Sequence, residues 1–202
     1  MQQDEKEAFQ ISRRSMIAGA TLVPVAALTA AAPAPRTALT ASQRRILDAF
    51  VDRLVPKDEL GPGALEIGAA NYIDLALADA LAAEKSTLAE GLAAMDALAR
   101  KQFDASFAGL PPDKKDQLLT ALENGTAPDF PNARAFFARI RRLTLEGMFS
   151  DPYYGGNKNF AGWDLIRYPG PRLAVAAEDQ RMSAPPKPLH QSAYGSNFNH
   201  GH

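Results

Sequence analysis

The 202-residue sequence contains no cysteine. That absence excludes thiolate-ligated iron–sulfur clusters, covalent c-type haem attachment through CxxCH, thiol catalysis and any disulfide framework. A redox centre must therefore belong to another chain or be held without cysteine. Histidine is nearly as scarce, and His190, His200 and His202 all fall in the C-terminal tail, where the HGH ending lacks a preformed ligand set. Excess charge of either sign is missing too: 22 basic residues oppose 23 acidic ones for a net charge of -1. No global basic field draws the chain onto nucleic acid. Sustained alternation of apolar and polar residues is absent and β-branched residues are few, which argues against a sheet of any size. There is no GxGxxG, GxxxxGK, GxSxG or HExxH pattern, so dinucleotide, phosphate-loop, nucleophile-elbow and zincin chemistry have no sequence support.

Long apolar runs are also lacking. The longest, Met16 to Ala32, is rich in alanine and is interrupted by Gly19 and Pro24, whereas a membrane-spanning helix needs about 20 strongly apolar residues. Directly before it stand Ser12, Arg13 and Arg14. A polar lead, paired arginines and a modest uncharged stretch ending in small residues resemble a bacterial twin-arginine signal over residues 1–35, with cleavage expected after Ala31. That address implies a periplasmic destination, on the periplasmic face of the inner membrane, and export in the folded state.

From Thr40 onward the chain reads as amphipathic helices. Thr40 and Gln43 have capping-box spacing, and Ile46, Leu47, Phe50, Val51 and Leu54 share one face until Pro56. A second helix is expected from Ala64, with Leu65, Tyr72, Ile73, Ala76, Leu77 and Ala80 on its stripe. A third opens at a Thr87–Glu90 capping box and carries Leu88, Leu92, Met95, Ala99 and Phe103. Pro111 and Pro112 introduce a fourth that Asn124 and Gly125 end, and a fifth follows Pro131 with Phe136, Phe137, Ile140, Leu143 and Met148. The expected fold is all-α: a compact bundle of about five helices over residues 40–172, closely packed through alanine, followed by an irregular tail over 173–202. Asp48, Asp52, Asp58, Glu59 and Glu66 fall on polar faces or in the first loop. Arg139, Arg141 and Arg142 point to different sides of one helix, so they form no continuous anion-binding stripe.

One segment departs from the alanine–leucine pattern: DPYYGGNKNFAGWDLIRYPGP, Asp151 to Pro171, is expected as an unbroken non-helical stretch. Long loops in compact domains are functional or disordered, and the aromatic content argues against a mere linker. Gly155 and Gly156 permit unusual backbone conformations, Asn157 is placed to tie the turn through its amide, and Tyr153, Tyr154 and Trp163 are rigid amphipathic anchors of the kind found at interfaces. An alternative use of the same rings is to complete the chain's own core, most plausibly for Phe160 and Trp163.

The order of the arginine signal, the helix ending DRLVPKDELGPGA, the phenylalanine-led helix and then GMFSDPYYGGNKNFAGWDLIRYPGP resembles the gluconate 2-dehydrogenase subunit 3 family, from the signal to about Pro171. The resemblance implies the small, or gamma, subunit of a membrane-bound FAD-dependent dehydrogenase complex, without a catalytic centre or cofactor of its own. It implies a large flavoprotein subunit that oxidises the substrate, often a multihaem cytochrome c subunit that passes electrons to quinone, and a small subunit that helps the flavoprotein mature and cross the membrane. On this reading Tyr153, Tyr154, Gly155, Gly156, Asn157 and Trp163 form the partner interface. The tail after Pro171 departs from the family pattern. A stand-alone periplasmic carbohydrate-binding protein, stacking sugar rings on Tyr153, Tyr154 and Trp163, is the alternative. A hydrolase using helix-borne carboxylates is a third reading.

Overall fold

The computed structural model describes residues 37–172, 174–181, 183 and 185–195, so Arg13, Arg14 and the rest of the expected signal lie outside the described residues. Within them are seven α-helices, several short 3₁₀ turns and no strand; Asp58 and Gly61 form one isolated bridge. No described helix is long and apolar enough to cross a membrane.

Helix α1 (Ala41–Leu54) starts where the capping box predicts. The Gln43 amide donates to the Thr40 hydroxyl at 3.3 Å, and the Thr40 amide donates back to the Gln43 side chain at 2.9 Å. This satisfies two of the amides that a helix start otherwise leaves unpaired. Its apolar face buries Phe50 completely, and the rings of Phe107, Phe136 and Phe137 surround it at centroid distances of 6.3, 6.0 and 6.0 Å. Just ahead of α1, the amides of Ala38 and Leu39 donate to the buried Asp74 carboxylate at 2.8 and 2.9 Å, with Arg44 3.6 Å away. Asp74 thus ties the entry of the helical body to its middle.

The expected second helix is two. Gly68 adopts φ +93°, a conformation that L side chains rarely take, and divides the stretch into α2 (Ala64–Ile67) and α3 (Ala69–Ala78). The break rotates the stripe, leaving Leu65 exposed while Ile67, Ile73 and Leu77 stay buried, and Ala80 is exposed in the turn beyond the end of α3. The third expected helix also begins earlier. Helix α4 (Lys85–Phe103) continues directly from a 3₁₀ turn at Ala82–Glu84, whose Ala82 carbonyl accepts the Lys85 amide, so Thr87 lies inside the helix and the Thr87–Glu90 box does not form. Glu90 instead accepts the Ser86 hydroxyl at 2.8 Å.

Helix α5 (Pro112–Asn124) has proline at its first position and ends on Gly125 at φ +69°, as its sequence predicts. Helix α6 (Ala133–Phe149) buries Phe136, Phe137, Ile140, Leu143 and Met148 on one face. It crosses α3 very closely: a Cβ on Gly147 would stand 2.9 Å from both Ala69 Cα and Tyr72 Cβ. Small residues at such a crossing let the backbones meet, which is the role the sequence predicts for its alanines. Arg139 on α6 grips Glu84 through two bonds of 2.7 Å, and Arg142 pairs with Glu146 one turn on. The expected unbroken loop after α6 is not unbroken. It contains 3₁₀ turns at Pro152–Tyr154 and Lys158–Phe160 and a short helix α7 (Ala161–Leu165), because Asp151 and the Pro152 ring start a turn and Trp163 anchors a second one.

Candidate functional site

A helix leaves its last carbonyls without intrahelical donors, and if they are buried something must supply those donors. At the end of α6 the aromatic loop does so. The Ser150 amide returns to the Glu146 carbonyl at 2.8 Å, and the Asn157 amide donates to the Gly147 carbonyl at 2.8 Å. The Trp163 indole donates to the Phe149 carbonyl at 2.9 Å, and the Asn157 side-chain amide donates to the Ser150 carbonyl at 2.8 Å. The Asn157 side-chain oxygen then accepts the Gly162 amide at 2.9 Å. One fully buried asparagine therefore joins the helix end to the start of α7. On the far side, Asn71 of α3 donates to the Gly155 carbonyl at 2.7 Å.

This wrapping needs close backbone approach. A Cβ on Gly156 would overlap the Gly147 carbonyl oxygen, and one on Gly162 would overlap that of Met148. The loop also holds Asn157, Asn159 and Phe160 at φ +44°, +55° and +62°. Asparagine tolerates that region, but a phenylalanine there is strained and persists only where its surroundings hold it. The Phe160 ring lies against Trp163 at 5.3 Å and stacks flat on His190 at 5.2 Å and 5°.

Of the residues expected at a partner surface, Gly156, Asn157 and Trp163 lie beneath the surface, where they shape the loop; Trp163 and Phe160 thus serve the chain's own packing. Gly155 is half-buried. Tyr153 and Tyr154 remain exposed, at 37% and 46%, and pack edge to face at 5.3 Å. They share their surface with the tail. Tyr194 stacks on Tyr153 at 4.3 Å and bonds the Tyr154 hydroxyl at 2.6 Å, a contact that pushes the Tyr154 phenol above its usual range. Beside them, Phe149, Asp151, Trp163, Ile166, Tyr168, Pro171 and Ala193 line an open, mainly apolar depression of about 340 Å³.

Besides Tyr194, two further participants were not singled out from the sequence. Asp151 accepts the Tyr153 amide at 2.9 Å through one oxygen and the Ala193 amide at 2.8 Å through the other. An aspartate before a proline is a turn-starting signal that could have marked it. His190, which bonds Asp164 at 2.8 Å, carries no such local signal.

Elsewhere the charged residues serve structure. Asp48 pairs with Arg44, Glu66 with Lys57, and Asp58 closes its own turn by accepting the Leu60 amide. Among the described residues no three histidine or carboxylate side chains converge on a common point.

The family model described as gluconate 2-dehydrogenase subunit 3 matches residues 41–170, from the first residue of α1 through the end of the aromatic loop. Neither a curated protein nor a solved structure shows significant similarity to the chain. The chain belongs to the gluconate 2-dehydrogenase subunit 3 family.

Proposed function

We propose that this chain is the non-catalytic small subunit of a periplasm-facing, FAD-dependent dehydrogenase complex, and that it assists maturation and twin-arginine export of the flavoprotein subunit. The family match over the helical body and the loop carries the reading, since that family is a subunit of a dehydrogenase complex. The sequence supports it further: an arginine pair leads an alanine-rich run, and the chain lacks both cysteine and the phosphate-cradling patterns that a bound dinucleotide calls for. FAD belongs to the large partner, and haem c to a cytochrome subunit where the complex has one. The small chain holds the flavoprotein while it folds around FAD, and its own signal then serves both.

The loop suits gripping. Its backbone is fixed from beneath by Asn157 and Trp163, so the rings and apolar side chains above it need little further ordering on binding. The sugar-binding alternative has less support, because Trp163 is only 4% exposed and the face of Tyr153 is stacked on Tyr194.

The test is co-expression with a large FAD-binding oxidoreductase subunit from the same organism. A stable complex with flavin only in the large subunit is expected, and separate elution of the two chains contradicts the reading. Replacing Arg13 and Arg14 by lysine is expected to retain both subunits in the cytoplasm; normal export of both would refute the export role. Titration with gluconate, fructose and glucose should leave the emission of the single tryptophan unchanged, and a saturable response would favour the sugar-binding alternative.

A further inference from the structure

The matched domain ends at residue 170, yet residues 189–194 return to it. They run back across the aromatic loop and fasten to it at successive points. The Leu189 amide donates to the Pro169 carbonyl at 2.7 Å, and within the tail itself Arg172 holds Asp179, at 2.8 Å, and the Lys187 carbonyl. His190 stacks on Phe160 and bonds Asp164, the Ala193 amide bonds Asp151, and Tyr194 closes the series over Tyr153 and Tyr154.

The fastenings share a character. The contacts to the loop are small polar or ring contacts at or near the surface, and among the described residues after Pro171 only Ser192 is buried, at 9% exposure. A segment held this way opens more easily than a packed helix, because little apolar area is lost when it lifts. Its contacts are also of the kind a protein partner would make on this surface: a tyrosine laid on two tyrosines, and main-chain amides given to a loop carboxylate.

We infer that residues 185–195 form a displaceable strap which occupies the docking surface of the aromatic loop in the free subunit and is lifted off when the flavoprotein binds. The inference rests on the partner reading above and adds which surface is used and what guards it. The strap shields Tyr153 and Tyr154 until the intended partner arrives, as an intramolecular competitor does. Binding then draws on the fraction of molecules with the strap open, so the apparent Kd is the intrinsic value divided by that fraction.

The test uses the full chain and its cognate flavoprotein. An aromatic pair is worth a factor of roughly two to ten in an equilibrium constant, so Tyr194→Ala is expected to tighten flavoprotein binding by about that factor. Because the natural chain has no cysteine, Asp151→Cys with Ala193→Cys can be bridged selectively by a short bismaleimide. The bridged form should bind far more weakly than the same variant left unbridged, which is the reference because both forms lack the Asp151 carboxylate. Unchanged or weakened binding by Tyr194→Ala, or full binding by the bridged form, overturns the inference and makes the tail a bystander or part of the interface.

Amide hydrogen exchange over residues 151–168 separates the two layers of the argument. Faster exchange in Tyr194→Ala than in the parent is expected, and equal rates refute the strap whatever the partner does. Failure of the parent, Tyr194→Ala and the unbridged variant alike to bind the flavoprotein refutes the partner reading, and this inference with it.

Discussion

Asn157 donates its side-chain amide to the carbonyl of Ser150 at 2.8 Å, in a site where Asn157 has no exposed surface. Its other side-chain atom accepts the Gly162 amide. Asn157→Ala leaves both partners unpaired in the interior, and each such loss costs about 1–3 kcal/mol. A destabilisation of about 2–4 kcal/mol is expected in denaturant unfolding followed by helical circular dichroism.

Trp163 plays two separable parts. Its indole N–H caps the Phe149 carbonyl, and its ring fills space beneath Phe160 and Tyr168. Trp163→Phe keeps most of the ring and loses the bond, which should cost about 1–2 kcal/mol; Trp163→Ala loses both, at about 3–5 kcal/mol. No loss in Trp163→Phe on thermal unfolding would show that the hydrogen bond contributes nothing, and equal losses in the two variants would show that the ring adds nothing beyond it.

Gly156 and Gly109 form a matched pair. An alanine at 156 drives a methyl into the Gly147 carbonyl and forces α6 and the loop apart, at a cost of about 1–3 kcal/mol. At 109 a Cβ meets nothing within 4 Å, so Gly109→Ala should be neutral or stabilising by up to about 1 kcal/mol. Thermal midpoints of the two variants check this directly.

Much of this architecture was legible in the sequence wherever the determinants were local. The Thr40–Gln43 box, the Pro112 start, the Gly125 stop and the apolar stripe of α6 all depend on residues within a turn or two of each other. The tying role of Asn157 was legible in kind, though not its partners. The misreadings share the opposite cause. Gly68 breaks a periodic stretch whose propensity alone permits continuation, and the break lets the chain turn where Gly155 and Lys158 come to lie beside it. Thr87 and Glu90 have capping spacing, but the helix already starts at Lys85, whose amide is taken by the Ala82 carbonyl of the preceding turn, so both lie inside it. Tyr194 reaches Tyr154 across 40 residues, a distance at which no local pattern carries information.

Acid stability should depend on Asp96. Burial acts to raise its carboxyl, but the Ser106 hydroxyl, the Phe107 amide and Arg100 together hold it below the usual carboxylate range. A depressed folded value means that the contribution to stability is complete above the unfolded value of about 3.9 and is lost as pH falls through the folded one. Glu84, Asp116 and Asp129 are depressed by their own cationic partners and share that window, so the difference between parent and Asp96→Asn is the informative quantity. The variant should be less stable at neutral pH, and the gap should narrow below about pH 4. A gap that stays constant down to about pH 2 would contradict the assignment.

The most direct test of the account is the location and amount of flavoprotein activity in cells that produce the FAD-binding subunit with and without this chain. With it, FAD-dependent dehydrogenase activity is expected in the periplasmic fraction; without it, the flavoprotein should remain in the cytoplasm or fail to acquire its flavin. Equal periplasmic activity in both strains would contradict the claim that this chain is what the flavoprotein needs to mature and leave the cytoplasm.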